Sequence, residues 1–151
     1  MSSARLFSRA LVNIISKPSN ICLHGRYCSE AAVKLGSIDF ESVKAGLDKK
    51  SLTYIDVRNR SELQKDGKIV GSFNIPLPEV TNAFAMSPED FKQKYGFSMP
   101  EKSADNIIVG CLFAIRSKEA GLFLQKIGYN TIRIYNGGFN EWKAKDGPIS
   151  K

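Results

Sequence analysis

Short apolar or β-branched runs alternate with helical segments over residues 37–150. That alternation predicts an α/β domain with a central, mostly parallel sheet of about five short strands and helices on both faces. Three runs carry the prediction. Residues 52–57 are rich in β-branched side chains. Ile107-Ile108-Val109-Gly110 is short and apolar throughout, as a strand buried on both faces should be, and residues 131–135 repeat the β-branched pattern.

Taken in order, Phe40, Val43 and Leu47 recur at helical spacing behind a cap at Ser37 or Asp39, and the strand at 52–57 follows. Residues 69–76 read as one brief extended stretch, ended by Pro76 and Pro78. From Glu79 to Pro100 the chain is helical or irregular, with Pro88 placed to start a helix through Phe91 and Tyr95. After the strand at 107–110, a helix runs over 117–127 with Gly128 as its C-terminal cap. The strand at 131–135 leads through Gly137-Gly138 into a short helix around Trp142. There are no internal repeats, low-complexity tracts or signs of a second domain.

Cys111 falls between the strand at 107–110 and the helix after it, at the carboxyl end of a strand, where open parallel sheets bind their ligands. Unpaired backbone N–H groups and the positive end of a helix dipole favour a thiolate there, and Arg116 adds a fixed positive charge able to attract an anionic substrate. Two readings follow, a nucleophile and a small buried apolar residue at a strand end.

Composition narrows the chemistry. The only histidine, His24, and the other two cysteines, Cys22 and Cys28, lie in the first 28 residues, a segment read here as removable. The remaining domain then has one thiol and no imidazole. That excludes Cys-His proteases, Ser-His-Asp hydrolases, histidine-bearing zinc sites, CxxC redox motifs and disulfide stapling. A reactive Cys111 must therefore rely on backbone dipoles and cations.

Residues 1–29 contain Arg5, Arg9, Lys17 and Arg26, several serines and no acid, with Leu6, Phe7, Ala10, Leu11, Ile14 and Ile15 at helical spacing. This is the pattern of a mitochondrial transit peptide, cleaved near Ser29, with a short linker over 30–36. The alternatives are a basic tail for anionic surfaces and, with no unbroken apolar core, a secretory signal; no run is long enough to span a bilayer. The whole chain carries +7; beyond residue 29 there remain 18 basic against 15 acidic residues, a net of +3. That balance suits small anions, and no basic stripe with interleaved aromatics points to nucleic acid. About 120 residues suffice for one domain with one core.

Four motifs stand in order: Tyr54-Ile55-Asp56-Val57-Arg58 with Glu62; Gly67-Lys68-Ile69-Val70-Gly71-Ser72-Phe73-Asn74-Ile75-Pro76; Cys111 to Arg116; and Tyr135-Asn136-Gly137-Gly138-Phe139-Asn140-Glu141-Trp142. Together they resemble the motifs of single-domain rhodaneses over about residues 37–150. The segment from Ser87 through Tyr95-Gly96 resembles the connector of animal thiosulfate:glutathione sulfurtransferases. The resemblance implies a rhodanese-like fold and a sulfurtransferase. Its Cys111 would take sulfane sulfur from thiosulfate or a persulfide donor and pass it to a thiol such as glutathione, or to cyanide, without cofactor or metal. It assigns donor binding to the loop of Leu112, Phe113, Ala114, Ile115 and Arg116, with Lys118 either raising the local potential or simply solvated. Family members commonly carry glycine at the position of Ala114, with polar or cationic neighbours; if that position needs a positive φ, alanine costs about 1 kcal/mol or more.

Two other functional readings are weighed. A catalytically silent module of the same fold fits the apolar loop. A cysteine-based phosphatase fits less well, since Cys-x4-Arg is one residue short of the Cys-x5-Arg cradle and no aspartate matches the general acid such an enzyme needs. Asp56 and Arg58 end a strand and could project toward the site, but the resemblance implies a mainly structural pair; Phe139 with Trp142 reads as core rather than pocket lining.

Overall fold

A computed structural model provides the structure and describes residues 35–151. The leader pattern, with Cys22, His24 and Cys28, lies outside the described residues.

Five parallel strands form the sheet: β1 (Gly36–Ile38), β2 (Thr53–Asp56), β4 (Phe73–Asn74), β5 (Ile107–Gly110) and β6 (Ile132–Tyr135), in the order β1-β6-β5-β2-β4. β3 (Lys68–Ile69) and β7 (Ile149–Ser150) form a separate antiparallel pair. The extended stretch expected over 69–76 is thus corrected to two strands in two sheets. A turn at Val70–Gly71 divides it, with Gly71 at φ +82°, and Ser72 Oγ donating to the Ile69 carbonyl at 2.6 Å. β1 starts at Gly36, inside the segment read as linker.

The central strands send alternate side chains to opposite faces, as the pleat requires. Ile55, Val57, Ile107, Val109, Ile132 and Ile134 point into one core. It is closed by α3 (Leu77–Ala83), α4 (Pro88–Tyr95) and α5 (Ile115–Lys126) through Val80, Ala83, Phe91, Ala120 and Leu124. Tyr54, Ile108 and Tyr135 face the other way, under α1 (Phe40–Asp48) and α6 (Gly138–Ala144), where Phe40, Val43, Phe139 and Trp142 pack. Each such aliphatic or aromatic side chain contributes about 1.5 to 3 kcal/mol on burial. Phe139 and Trp142 are core residues, as the sequence indicates.

Helix ends follow local chemistry. The Ser42 amide donates to Asp39 Oδ1 at 2.8 Å, a cap that holds the Asp39 carboxyl below its ordinary range. Ser87 caps α4 and Gly96 ends it in the left-handed region. α2 (Arg60–Asp66) has no fully buried residue and is fixed by a capping box between Asn59 and Glu62. Among the described residues no helix is long and apolar enough to cross a membrane.

The chain leaves β2 toward β4 on one side and leaves β5 toward β6 on the other. The loops after β2 and β5 therefore separate above the sheet and open a crevice at the switch point, where such folds bind ligands. Cys111 sits there.

Candidate active site

β5 delivers Cys111, and the Val57 amide holds the strand end by donating to the Gly110 carbonyl at 2.9 Å. Only glycine fits at 110, because a Cβ there would collide with the Tyr54 hydroxyl. The chain then bends through Leu112 and Phe113 to Ala114, whose φ of +69° and ψ of −12° lie in the left-handed region. The positive φ considered at this position is therefore present, at a cost for alanine of roughly 1 to 2 kcal/mol. α5 begins at once, at Ile115 rather than Ser117, and the loop itself forms its N-terminus. Ser117 Oγ donates to the Ala114 carbonyl at 2.9 Å, pinning the turn, and lies 3.6 Å from Cys111 Sγ. Cys111 is 2% exposed, at the base of the loop.

The two sides of the loop are used differently. The Phe139 amide donates to the Cys111 carbonyl at 2.8 Å and the Asn140 amide to the Leu112 carbonyl at 3.3 Å, so α6 holds the carbonyls. Gly138 makes this approach possible: its φ is +59°, and a Cβ would strike both carbonyl oxygens. The amides of Leu112 through Ser117, in contrast, make no hydrogen bond to a carbonyl of the described residues. Successive free amides at a helix start are the kind of arrangement that can hold an anion.

The cations are placed otherwise than the loop alone suggests. Arg116 turns to α2, its Nη1 and Nη2 donating to the two Glu62 oxygens at 2.6 and 2.8 Å. The guanidinium draws the Glu62 carboxyl down to about 2, and the pair ties α2 to the first turn of α5. The positive charge expected to steer anions is thereby offset. Lys118 is exposed and borders a cavity with Gly36, Leu122, Ile134 and Asn136. Phe113 and Ile115 project outward at 59% and 78% exposure.

Asp56 and Arg58 are buried and paired, with Nη2 to Oδ2 at 2.9 Å. Arg58 Nη2 also donates to the Gly67 carbonyl at 2.9 Å, and its guanidinium carbon stands 3.8 Å above the centre of the Phe139 ring. Asn74 Nδ2 donates to the carbonyls of Asp56 and Arg58, both at 2.8 Å. This joins the loop after β2 to β4 and α6, a structural role as read from the sequence. Among the described residues no group of three or more His, Cys, Asp or Glu is arranged to hold a metal ion.

The family model for the rhodanese-like domain matches residues 39–145. The chain belongs to that family. A mouse relative, thiosulfate sulfurtransferase/rhodanese-like domain-containing protein 3, is 41% identical over 116 residues, 76% of this chain and 73% of its own length. A Schizosaccharomyces pombe protein named provisionally as a mitochondrial thiosulfate sulfurtransferase is 38% identical over 132 residues, 84% of this chain and 92% of its own. The human thiosulfate:glutathione sulfurtransferase is 32% identical over 91 residues, 60% of this chain and 78% of its own. Among solved structures, the human single-domain sulfurtransferase TSTD1 superposes with a TM-score of 0.69 at 27% identity, covering 74% of this chain and 98% of that one.

Three residues of this rhodanese domain site were not singled out by the sequence reading. In the sequence Ser117 reads only as a helix start, Gly138 as a turn and Glu62 as part of a motif. Glu62 carried a usable signal, a carboxylate three residues after Asn59 at a helix start. Gly138 and Ser117 act through contacts with distant or folded-back backbone, which spacing does not encode.

Proposed function

We propose that the protein is a sulfurtransferase whose Cys111 thiolate accepts sulfane sulfur from thiosulfate or a persulfide and gives it to a thiol. The observation that carries this reading is a lone thiol at the switch point, seated under a turn whose consecutive amides are free. The names of the relatives support the same reaction class. The thiolate attacks the outer sulfur of thiosulfate, a new S–S bond forms, and the donor's S–S bond breaks with its electron pair leaving on sulfite. An acceptor thiolate, of glutathione for example, then attacks the outer sulfur of the enzyme persulfide. The acceptor leaves as a persulfide and Cys111 returns as thiolate, with no outside oxidant. The amides of Leu112 to Arg116 stabilise the anionic terminal sulfur, and Arg116, held by Glu62, fixes the position of the loop. We place the protein in mitochondria, on the leader pattern of residues 1–29 and the name of the fission-yeast relative.

Incubation with thiosulfate should add one sulfur atom to the intact protein by mass spectrometry, and Cys111→Ser should abolish the addition. A second reading, a catalytically silent binding module, is favoured by the deep seat of the thiol and the pairing of Arg116. An unmodified wild-type thiol under several donors would establish it instead.

A further inference from the structure

We infer that Phe113 and Ile115 select the sulfur donor, and that the preferred donor is a monoanion carrying its sulfane sulfur on an apolar group rather than the inorganic thiosulfate dianion. The inference rests on the sulfurtransferase reading of Cys111 and deepens it. Four observations converge. Cys111 is 2% exposed at the base of its loop, so only the terminal atom of a donor reaches it and the rest of the donor lies against the rim. The loop's exposed side chains are apolar: two of the most exposed large hydrophobic side chains among the described residues, Phe113 at 59% and Ile115 at 78%, flank Ala114 in the turn that follows Cys111. Within the loop the Arg116 guanidinium is turned toward α2, its Nη1 and Nη2 each bonded to a Glu62 oxygen, so its charge is offset by a carboxylate before a second negative charge of a donor could meet it. Lys118, the next cation along the helix, borders a cavity lined by Leu35, Gly36 and Leu122. The free amides from Leu112 to Ser117 can hold one anionic sulfur.

A dianion entering this site gives up hydration of its sulfonate end against phenyl and sec-butyl groups, which offer no hydrogen bond in return. An apolar substituent in the same place removes its own surface and that of Phe113 and Ile115 from water. The step balances as before: Cys111 thiolate attacks the outer sulfur of an organic thiosulfonate, the S–S bond breaks, and the electron pair leaves on the organic sulfinate.

The test measures the rate of sulfur addition to Cys111 by mass spectrometry with three donors, inorganic thiosulfate, methanethiosulfonate and benzenethiosulfonate, on the wild-type chain. The same donors are applied to Phe113→Ser with Ile115→Ser, and to the apolar control Phe113→Leu with Ile115→Val. Comparing methane- with benzenethiosulfonate separates rim contact from the chemistry of the leaving group. We expect benzenethiosulfonate to lead methanethiosulfonate by about tenfold and thiosulfate by more. The serine variant should bring the benzene-to-methane ratio to within about twofold of unity, and the apolar control should retain most of the preference. A ratio that the serine substitutions leave unchanged, or faster labelling by thiosulfate than by both thiosulfonates in the wild type, overturns the inference while leaving the sulfurtransferase reading intact. Absence of sulfur addition from every donor overturns both. Both residues are on the surface, so circular dichroism of the serine variant should match wild type. A misfolded serine variant passes the decision to Phe113→Ser alone, judged by the same ratio.

Discussion

Ala114 and Gly138 hold two positive φ angles of the site, and their side chains make them unequal. Alanine at 114 accepts left-handed strain, but its methyl is buried in the main core, where one such group is worth about 0.8 kcal/mol. That offsets much of the strain and accounts for a residue other than glycine being tolerated. No such offset exists at 138, where a methyl would meet the carbonyl oxygens of Cys111 and Leu112. Gly138→Ala should therefore destabilise the fold by about 2 to 4 kcal/mol, from left-handed strain plus overpacking. Equilibrium urea unfolding measures this, and a loss below 0.5 kcal/mol would show that α6 does not brace the loop.

At the scale of elements, α2 and α5 meet through Glu62 and Arg116, both partly exposed. The folded Glu62 carboxyl lies at about 2 against an ordinary 4.5, so the pair's contribution is complete above roughly pH 5 and is lost as the pH falls toward 2. Glu62→Gln should cost about 1 kcal/mol at neutral pH. Chemical denaturation at a series of pH values should show the gap from wild type closing across that window. A gap independent of pH would mean that the carboxylate charge contributes nothing. The elements legible in the sequence were those with a periodic buried stripe: the capped helix at Asp39, the wholly buried β5, β6, and the proline-started α4. Those missed lack one. α2 carries one apolar side chain, Leu63, and so shows no periodic stripe, and β3 and β7 are two residues each, too short for alternation to register. β1 is Gly-Ser-Ile on a sheet edge. The position of Cys111 and the need for a positive φ at 114 were readable because both are local. The direction of Arg116 was not, since it depends on Glu62 in a helix whose single apolar residue, Leu63, sets up no periodicity.

For the whole molecule, residues 1–29 and the domain beyond them differ in composition. Residues 1–29 supply basic charge and an amphipathic pattern, and the domain beyond them is only mildly basic. A fusion of residues 1–35 to a fluorescent reporter should co-localise with a mitochondrial dye, and diffuse cytosolic fluorescence would refute the targeting proposal. If the chain is imported as proposed, the bonds from Phe139 and Asn140 back to the Cys111 loop bear on that import. A polypeptide threaded through a membrane in extended form cannot make them until its final helix has emerged on the far side. Under the targeting proposal the sulfur is until then an ordinary accessible thiol, open to stray oxidants, and the loop around it would close only when translocation is nearly complete.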